Sequence, residues 1–345
     1  MNLQKIKTTY LPTISITMIS LNDERILDDC LCSIKSQDYP QDLIEIVLVD
    51  GGSSDQTINI AKKYNAKVIS RPDLTNFPNI RAGLALTSAK SDLIMFLSAD
   101  NRLQENDILS LMVQSLADED VVASETIKYG YRATDPLLSR YFALIGGIDP
   151  IAVGLGKADR KAHDSNRWSG LGIAEDCNFF YKVTFLPDPA KIPTIGANGF
   201  LIKRKFIEKS HLAQAAFHID MCVELIMQGH NKFAFIKDRH VIHFIDVTLI
   251  SFIKRRLLFA NMYESTKENK RIYSVFDKKD LLKLIILIFY NITILVPFIR
   301  AIKGYLIKRD KAWFIHPLIS LSFTLSYSFY FIKKFFKQLG TQKKT

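Results

Sequence analysis

The stretch Ile46-Val47-Leu48-Val49-Asp50-Gly51-Gly52-Ser53-Ser54-Asp55-Gln56-Thr57 decides the fold. Four consecutive apolar residues suit a strand buried on both faces, and such strands belong to parallel sheets covered by helices. The glycines directly after it let a ligand approach the backbone closely, and the serines beside a helix start supply hydroxyls and caps. Asp50 ends the strand in a carboxylate, which accepts hydrogen bonds from N–H and hydroxyl groups.

The same alternation extends to either side. Upstream, residues 14–19 read as a strand, and Asn22 and Asp23 offer capping side chains to a helix. Its apolar positions Ile26, Leu27, Cys30, Leu31 and Ile34 share one face, and Asp38-Tyr39-Pro40 stops it. Downstream, helices are expected over 56–64, 79–90 and 107–116, with strands over 67–70 and 92–97. Strand and helix in regular turn predict an α/β domain, a mostly parallel sheet with helices on both faces. Such sheets bind ligands at the carboxyl ends of their strands. Ser20, Asn22, Asp50, Ser98 and Asp100 all fall at or just past strand ends. A departing pyrophosphate carries negative charge, which a divalent cation held by a carboxylate neutralises. Asp100, closing Leu93-Ile94-Met95-Phe96-Leu97-Ser98-Ala99-Asp100-Asn101, is suited to hold one.

As a set, these motifs resemble the nucleotide-binding half of family 2 glycosyltransferases, which have the Rossmann-like GT-A fold. The first strand's polar turn is matched by Ser20-Leu21-Asn22-Asp23-Glu24, the Asp-Asp-Gly-Ser-x-Asp-x-Thr motif by residues 50–57, and the metal motif Asp-x-Asp by Ser98-Ala99-Asp100. The resemblance covers roughly residues 12–260 and is strongest in the first 90. It implies a nucleotide-sugar donor, a UDP-sugar first among the choices, contacted by Ser20, Asn22, Glu24, Asp50, Gly52, Arg81, Ser98 and Asp100. It implies Mg²⁺ or Mn²⁺ at Asp100, bridging the diphosphate. Ser98 stands where relatives carry the first carboxylate of the metal motif.

Inverting sugar transfer needs a carboxylate within reach of the acceptor hydroxyl. In the family that residue opens a helix after a glycine-containing acceptor strand. Here the strand reads Ile195-Gly196-Ala197-Asn198-Gly199-Phe200-Leu201-Ile202 and the helix begins Phe217-His218-Ile219-Asp220, which makes Asp220 the candidate base. Glu175-Asp176 is the competing pair. His243 falls where some relatives place a metal- or diphosphate-binding histidine, and Arg255, within Lys254-Arg255-Arg256, is a candidate contact either to the departing diphosphate or to anionic lipid headgroups, two roles the sequence does not separate. Further strands are expected over 233–236 and 241–244, and an irregular segment over 135–193. Three regions follow: a donor half (1–125), an acceptor half (126–250) and a C-terminal helical region (251–345).

Charge separates the last region from the rest. Residues 1–250 hold 27 Lys+Arg against 30 Asp+Glu, a net of −3, whereas 251–345 hold 19 against 5, a net of +14. Basic clusters flanking long apolar runs suit a cytoplasmic membrane surface better than a nucleic acid, and no nucleic-acid partner is expected. The 21 uncharged residues 312–332 are long enough to span a bilayer; 284–299 is a shorter candidate. Two readings stay open: two full spans, which would place the basic connector outside against the positive-inside rule, and a re-entrant or interfacial arrangement, with Pro317 breaking the second segment, which keeps every basic cluster on one face. The four cysteines are too few for a disulfide scaffold and read as free thiols; residues 1–10 lack a secretory apolar run. The expectation is a membrane-associated enzyme, catalytic domain cytoplasmic, passing sugar to a lipid-linked or polysaccharide acceptor, with membrane lipids as partners. A sugar-nucleotide pyrophosphorylase, which would want a basic glycine-rich loop after the first strand, and an inactive nucleotide-sugar-binding module are the alternatives.

Overall fold

The computed structural model describes residues 11–165, 172–211, 218–265, 272–273 and 278–342. The chain divides into two compact units: residues up to Thr126 with Ala174–Thr184 and Gly196–Val241, and Ile127–Ile173 with Phe185–Ile195 and everything from Ile242 onward. The expected acceptor half, 126–250, is therefore shared between the two units.

The first unit carries the sheet. In chain order its elements begin β1 (Ile14–Ser20), α1 (Glu24–Lys35), β2 (Ile44–Asp50), α2 (Thr57–Lys63), β3 (Lys67–Ser70), α3 (Pro78–Ser88), β4 (Leu93–Phe96), β5 (Asn101–Leu103), α4 (Ile108–Ser115) and β6 (Val121–Tyr129). Helices α5 (Leu137–Ile145) and α6 (Pro150–Gly154) follow in the second unit. Then come β7 (Gly172–Cys177), β8 (Phe180–Phe185), β9 (Phe200–Lys203), α7 (Arg204–Ile207), α8 (His218–Met227) and β10 (Lys232–His243). The strand order is β3-β2-β1-β4-β9-β6-β10-β8-β7, with β5 paired to β10.

Strands β3, β2, β1 and β4 pair in parallel, whereas β9 is antiparallel to both β4 and β6, and β10 to β8. The sheet is mixed, which corrects the mostly parallel expectation. The rule of alternating side chains then sorts the helices. Ile14, Ile16 and Met18 of β1 and Ile44, Ile46 and Leu48 of β2 share a core with Leu27 and Leu31 of α1, Ala61 of α2 and Ile108 and Met112 of α4. Helix α3 packs on the same two strands, where Val47 and Val49 point to the opposite face and are fully buried.

Three local expectations need correction. Residues 135–193 are not irregular: they hold α5, α6 and two strands. The two strands expected over 233–244 are one, because β10 continues through Asp238 in the left-handed region (φ 52°). Asp23 precedes α1 but makes no side-chain cap there; its carboxylate is taken by the preceding turn.

The second unit is helical, adding α9 (Leu249–Ser265), α10 (Leu281–Thr293), α11 (Leu295–Ile307) and α12 (His316–Gln342). Tyr141, Phe142, Phe252, Ala301, Trp313, Ile319 and Phe323 form its core. The expected span over 312–332 becomes a short turn, Lys311–Ile315, and much of α12, with Ala312, Trp313, Ile319 and Phe323 buried; Pro317 sits in the helix's first turn. Among the described residues, one stretch is long and apolar enough to cross a membrane, and a second counts only if a bent helix pair is taken as a single broken span. One is Leu137–Gly154, 67% buried, and the other is the pair α10–α11, bent by 82°.

Candidate active site

The ends of β1 and β2 are laced into one structure. Ser20 Oγ donates to Asp23 Oδ2 (2.6 Å), and Leu21 N donates to the same oxygen (3.1 Å). Asn22, at φ 55°, receives Ser54 N on its Oδ1 (2.9 Å) while its own N–H donates to Ser53 Oγ (2.9 Å). Glu24 Oε2 accepts from Gln56 N (2.9 Å), and Asp23 N donates to Thr57 Oγ1 (2.8 Å). The polar residues of the two motifs thus hold each other, so either turn alone would lose its shape.

Asp50 is fully buried and works on its own loop. Its Oδ2 accepts from Gly52 N (2.8 Å) and Ser53 N (3.0 Å), and Oδ1 from the Ser53 hydroxyl. Gly52 sits at φ 94°, a conformation that favours glycine. Arg81, on α3 and 4% exposed, closes the arrangement: Nη1 donates to Ser20 O (2.6 Å), which also accepts from Gly51 N (2.9 Å). Burial draws its guanidinium below the ordinary value, against the opposing pull of Asp50 and Asp23. Asp50 and Arg81 shape the turns from within; Gly52, Asn22 and Glu24 are the exposed members.

The tip of β4 is fixed by Asn101, fully buried, whose Oδ1 accepts from Ser98 N (3.2 Å) and whose N–H donates to Ser98 O (2.9 Å). Ser98 is exposed and Asp100 half-buried. Asp23 lies electrostatically between the two tips. Burial raises its carboxyl, Ser20 and Leu21 lower it, and the charges of Asp100 and Asp55 raise it again. Asp23 was absent from the sequence-derived site, although its place three residues after Ser20 marked it as the closing residue of that turn. Two carboxylates near enough to disfavour each other's charge suit a cation. Among the described residues no group of three His, Cys, Asp or Glu forms a protein-only cage. A cation held at Asp100 would need oxygen ligands beyond the protein's own carboxylates, a set that magnesium-type ions accept.

The candidate base is placed by the other half of the sheet. Gly199 N donates to Phe96 O at the end of β4 (2.8 Å), and the rings of Phe96 and His218 lie 4.6 Å apart. The N-terminus of α8, with Asp220 in its first turn, is thereby set against the strand that runs into Ser98-Ala99-Asp100. Loss of solvation pushes His218 down to about 4, so it is neutral at physiological pH. Asp220 is 1% exposed; it and Glu125 of β6 both act on the Cys222 thiol, which burial pushes well up. Gly196 is required here: at φ 103° a Cβ would lie 2.9 Å from Cys222 Sγ and 3.1 Å from His218 O. The competing pair is exposed on β7 and spent on surface ion pairs, Glu175 with Lys182 (3.2 Å) and Asp176 with Lys237.

His243 and Arg255 belong to the second unit. His243 ends β10 with its ring 6.1 Å from that of Tyr129, whose hydroxyl donates to buried Asp159. Arg255 is exposed on α9.

Comparison with known proteins shows the family of the chain. The Glycosyl transferase family 2 profile matches residues 15–208, more than half of the chain. The chain belongs to glycosyltransferase family 2. It is 29% identical over 98 residues to the poly(ribitol-phosphate) beta-N-acetylglucosaminyltransferase TarS of Staphylococcus aureus, a match covering 27% of this chain and 17% of TarS. It is 30% identical over 196 residues to an uncharacterized glycosyltransferase of Mycobacterium tuberculosis, covering 53% of this chain and 73% of that one. The mannosyltransferase PcManGT of Pyrobaculum calidifontis, solved with GDP-Man and Mn²⁺, shares the fold with a TM-score of 0.53 at 14% identity, over 93% of this chain and 87% of that one. The match spans less than a fifth of TarS, and membership in this family sets the pyrophosphorylase alternative aside.

Proposed function

We propose that this glycosyltransferase moves a sugar from a nucleotide-diphosphate donor, with inversion, to an acceptor hydroxyl, and that Asp220 is the general base. The laced turns of β1 and β2 hold the nucleoside, with a UDP-sugar the first candidate. Asp100 holds Mg²⁺ or Mn²⁺ against the diphosphate. Asp220 takes the acceptor's proton as its oxygen bonds to the anomeric carbon. The bond from that carbon to the diphosphate breaks in the same displacement, and the nucleoside diphosphate leaves with the electron pair. The acceptor is lipid-linked or polysaccharide, met at the cytoplasmic face of the membrane.

The observation that carries this reading is the packing of α8 on the end of β4, through Phe96 and His218 at 4.6 Å. It joins the helix bearing the candidate base to the strand leading to the candidate metal ligand. Screening UDP-, GDP- and dTDP-sugars for hydrolysis and for thermal stabilisation, with and without Mn²⁺, tests the donor class. Asp220→Asn then tests the base: donor-induced stabilisation is retained and transfer is lost. Normal turnover by that variant would remove Asp220 from the mechanism.

A further inference from the structure

Helices α10 and α11 present an apolar exterior that the rest of their unit leaves bare. Leu282, Phe289, Leu295 and Leu306 are 69%, 65%, 62% and 72% exposed. The opposite side is fixed: Asn291 Nδ2 donates to Thr324 Oγ1 (2.9 Å), Ala301 is fully buried, and a Cβ on Gly304 would lie 2.4 Å from the Trp313 ring. The break between the helices is built in, with Ile294 held at φ 61°, an outlier for a β-branched residue. Residues 281–307 contain no acid; Lys283 and Lys303 lie towards the two ends, and Arg300, in the middle of α11, is paired with Asp164 (2.9 Å).

At the head of α10 is a cavity of about 370 Å³ lined by Lys157, Lys191, Lys279 and Lys283 against Asp188 and Asp280. Lys157 is buried and paired with Asp280 (2.6 Å), and Lys279 with Asp188 (3.3 Å). Lys191 acts on Asp188 at longer range than Lys279, and Lys283 makes no ion pair among the described residues. The remaining wall includes Leu155 and Leu186, the latter 44% exposed. Four ammonium groups against two carboxylates leave the lining with excess positive charge, which beside an apolar wall matches a phosphate carrying a hydrocarbon chain.

We propose that the second unit anchors to one leaflet of an anionic bilayer, the α10–α11 bend entering the hydrocarbon while the lysine-lined cavity takes a lipid headgroup phosphate. This deepens the membrane-face reading above. The dimensions favour one leaflet over a span. Lys283 to Ile294 rises about 16 Å along the helix, and two limbs sharing the 82° bend equally reach a depth of about 11 Å. A leaflet's hydrocarbon is about 15 Å deep.

The test is flotation of the full chain with vesicles of phosphatidylcholine alone or with one-third phosphatidylglycerol. Binding to anionic vesicles should be at least tenfold tighter. K191E/K283E should abolish that preference while retaining the weaker binding to neutral vesicles, and L295S/F298S should lose both. Equal binding to the two vesicle types, or an unchanged preference in K191E/K283E, overturns the headgroup site. Stabilisation by inorganic phosphate without vesicle binding would make the cavity a free-phosphate site and overturn the lipid assignment. In a Cys32→Ser, Cys177→Ser background, Ile294→Cys should be unreachable by a membrane-impermeant maleimide trapped in the lumen; labelling from inside would establish a span instead. Donor-induced thermal stabilisation, read on the same variants without vesicles, keeps the donor reading separate: it should be unchanged whether or not flotation fails.

Discussion

Gly51→Ala is the sharpest probe of the donor turns, because the structure fixes what the added methyl would meet. A Cβ at residue 51 would lie 2.4 Å from Arg81 Nη1 and 2.7 Å from Cζ, inside the distance that real Cβ atoms keep. The backbone of Gly51 is not among the positive-φ glycines, so the cost is contact with Arg81 and not backbone strain. The guanidinium has little room to yield, being 4% exposed and bonded to Ser20 O at 2.6 Å. Losing a buried charge-assisted hydrogen bond costs about 1.5–3 kcal/mol, and overpacking adds to this. A loss of about 2–3 kcal/mol is expected, which lowers Tm by roughly 5–10 °C for a unit of this size.

A double-mutant cycle isolates the cause. In an Arg81→Ala background the methyl meets empty space, so the second step should cost less than about 0.5 kcal/mol and the coupling should exceed about 1 kcal/mol. Both steps are read by denaturant unfolding, and donor binding by thermal stabilisation with UDP- and GDP-sugars. Because Ser20 O anchors both Arg81 and Gly51 N, Gly51→Ala should weaken donor binding as well as stability. An equal cost for Gly51→Ala in both backgrounds would refute the wedge between Arg81 and the loop.

Other outcomes follow from the same geometry. Asp100→Ala should weaken Mn²⁺-dependent donor binding by at least tenfold and leave metal-free stability within about 0.5 kcal/mol, checked by donor titration with and without Mn²⁺. Gly196→Ala, which drives a methyl into Cys222 and His218 O, should displace α8 and lower the transfer rate more than donor affinity, seen by comparing kcat with donor KM. His316, bonded to Tyr141 (2.7 Å), is pushed down to about 3 by burial and by Arg300. Its folded value lies below its unfolded one, so the stability it contributes is complete above about pH 6.5 and falls towards pH 3; about 2 kcal/mol should be lost between pH 6.5 and 5. Denaturant unfolding at those two values checks this, and His316→Gln should flatten the difference.

Legibility in the sequence followed the range of the interactions. The strand 44–50 and the turn after it are written in adjacent residues, so the elements from β1 to α4 could be read within a residue or two of their ends, except β5, three residues whose partner β10 is remote in the sequence. What was hidden depends on distant partners. Asp23 was read as a helix cap because Asp before a helix usually is one, but the Ser20 hydroxyl and Leu21 N–H outcompete α1 for its carboxylate. Asp50 was read as a ligand contact, and no periodicity reveals that Gly52 and Ser53 fold back on it. The stretch 312–332 has a membrane composition, yet Trp313 and Phe323 pack with Phe142 and Phe252, residues remote in the sequence. The apolar run 284–299 was the weaker candidate on length, and only the bend at Ile294 shows that its apolar residues form an exposed surface.

The three carboxylates of the donor side divide their work by what surrounds each. Asp50 gives its oxygens to Gly52 N, Ser53 N and the Ser53 hydroxyl, so its charge is consumed in shaping the loop. Asp23 is raised by burial while Ser20 and Leu21 hold its carboxylate form, a compromise that leaves it sensitive to any charge added nearby. Asp100 is the charge that presses on it from β4. A divalent cation bound at Asp100 would offset that pressure on the Asp23 carboxylate. Metal and nucleoside would then bind cooperatively through Asp23, with no movement of either strand. Asp23→Asn keeps the shape but removes the charge, so it should reduce the Mn²⁺ enhancement of nucleotide affinity while preserving metal-free affinity. Equal loss of both would make Asp23 a plain structural residue of the turn.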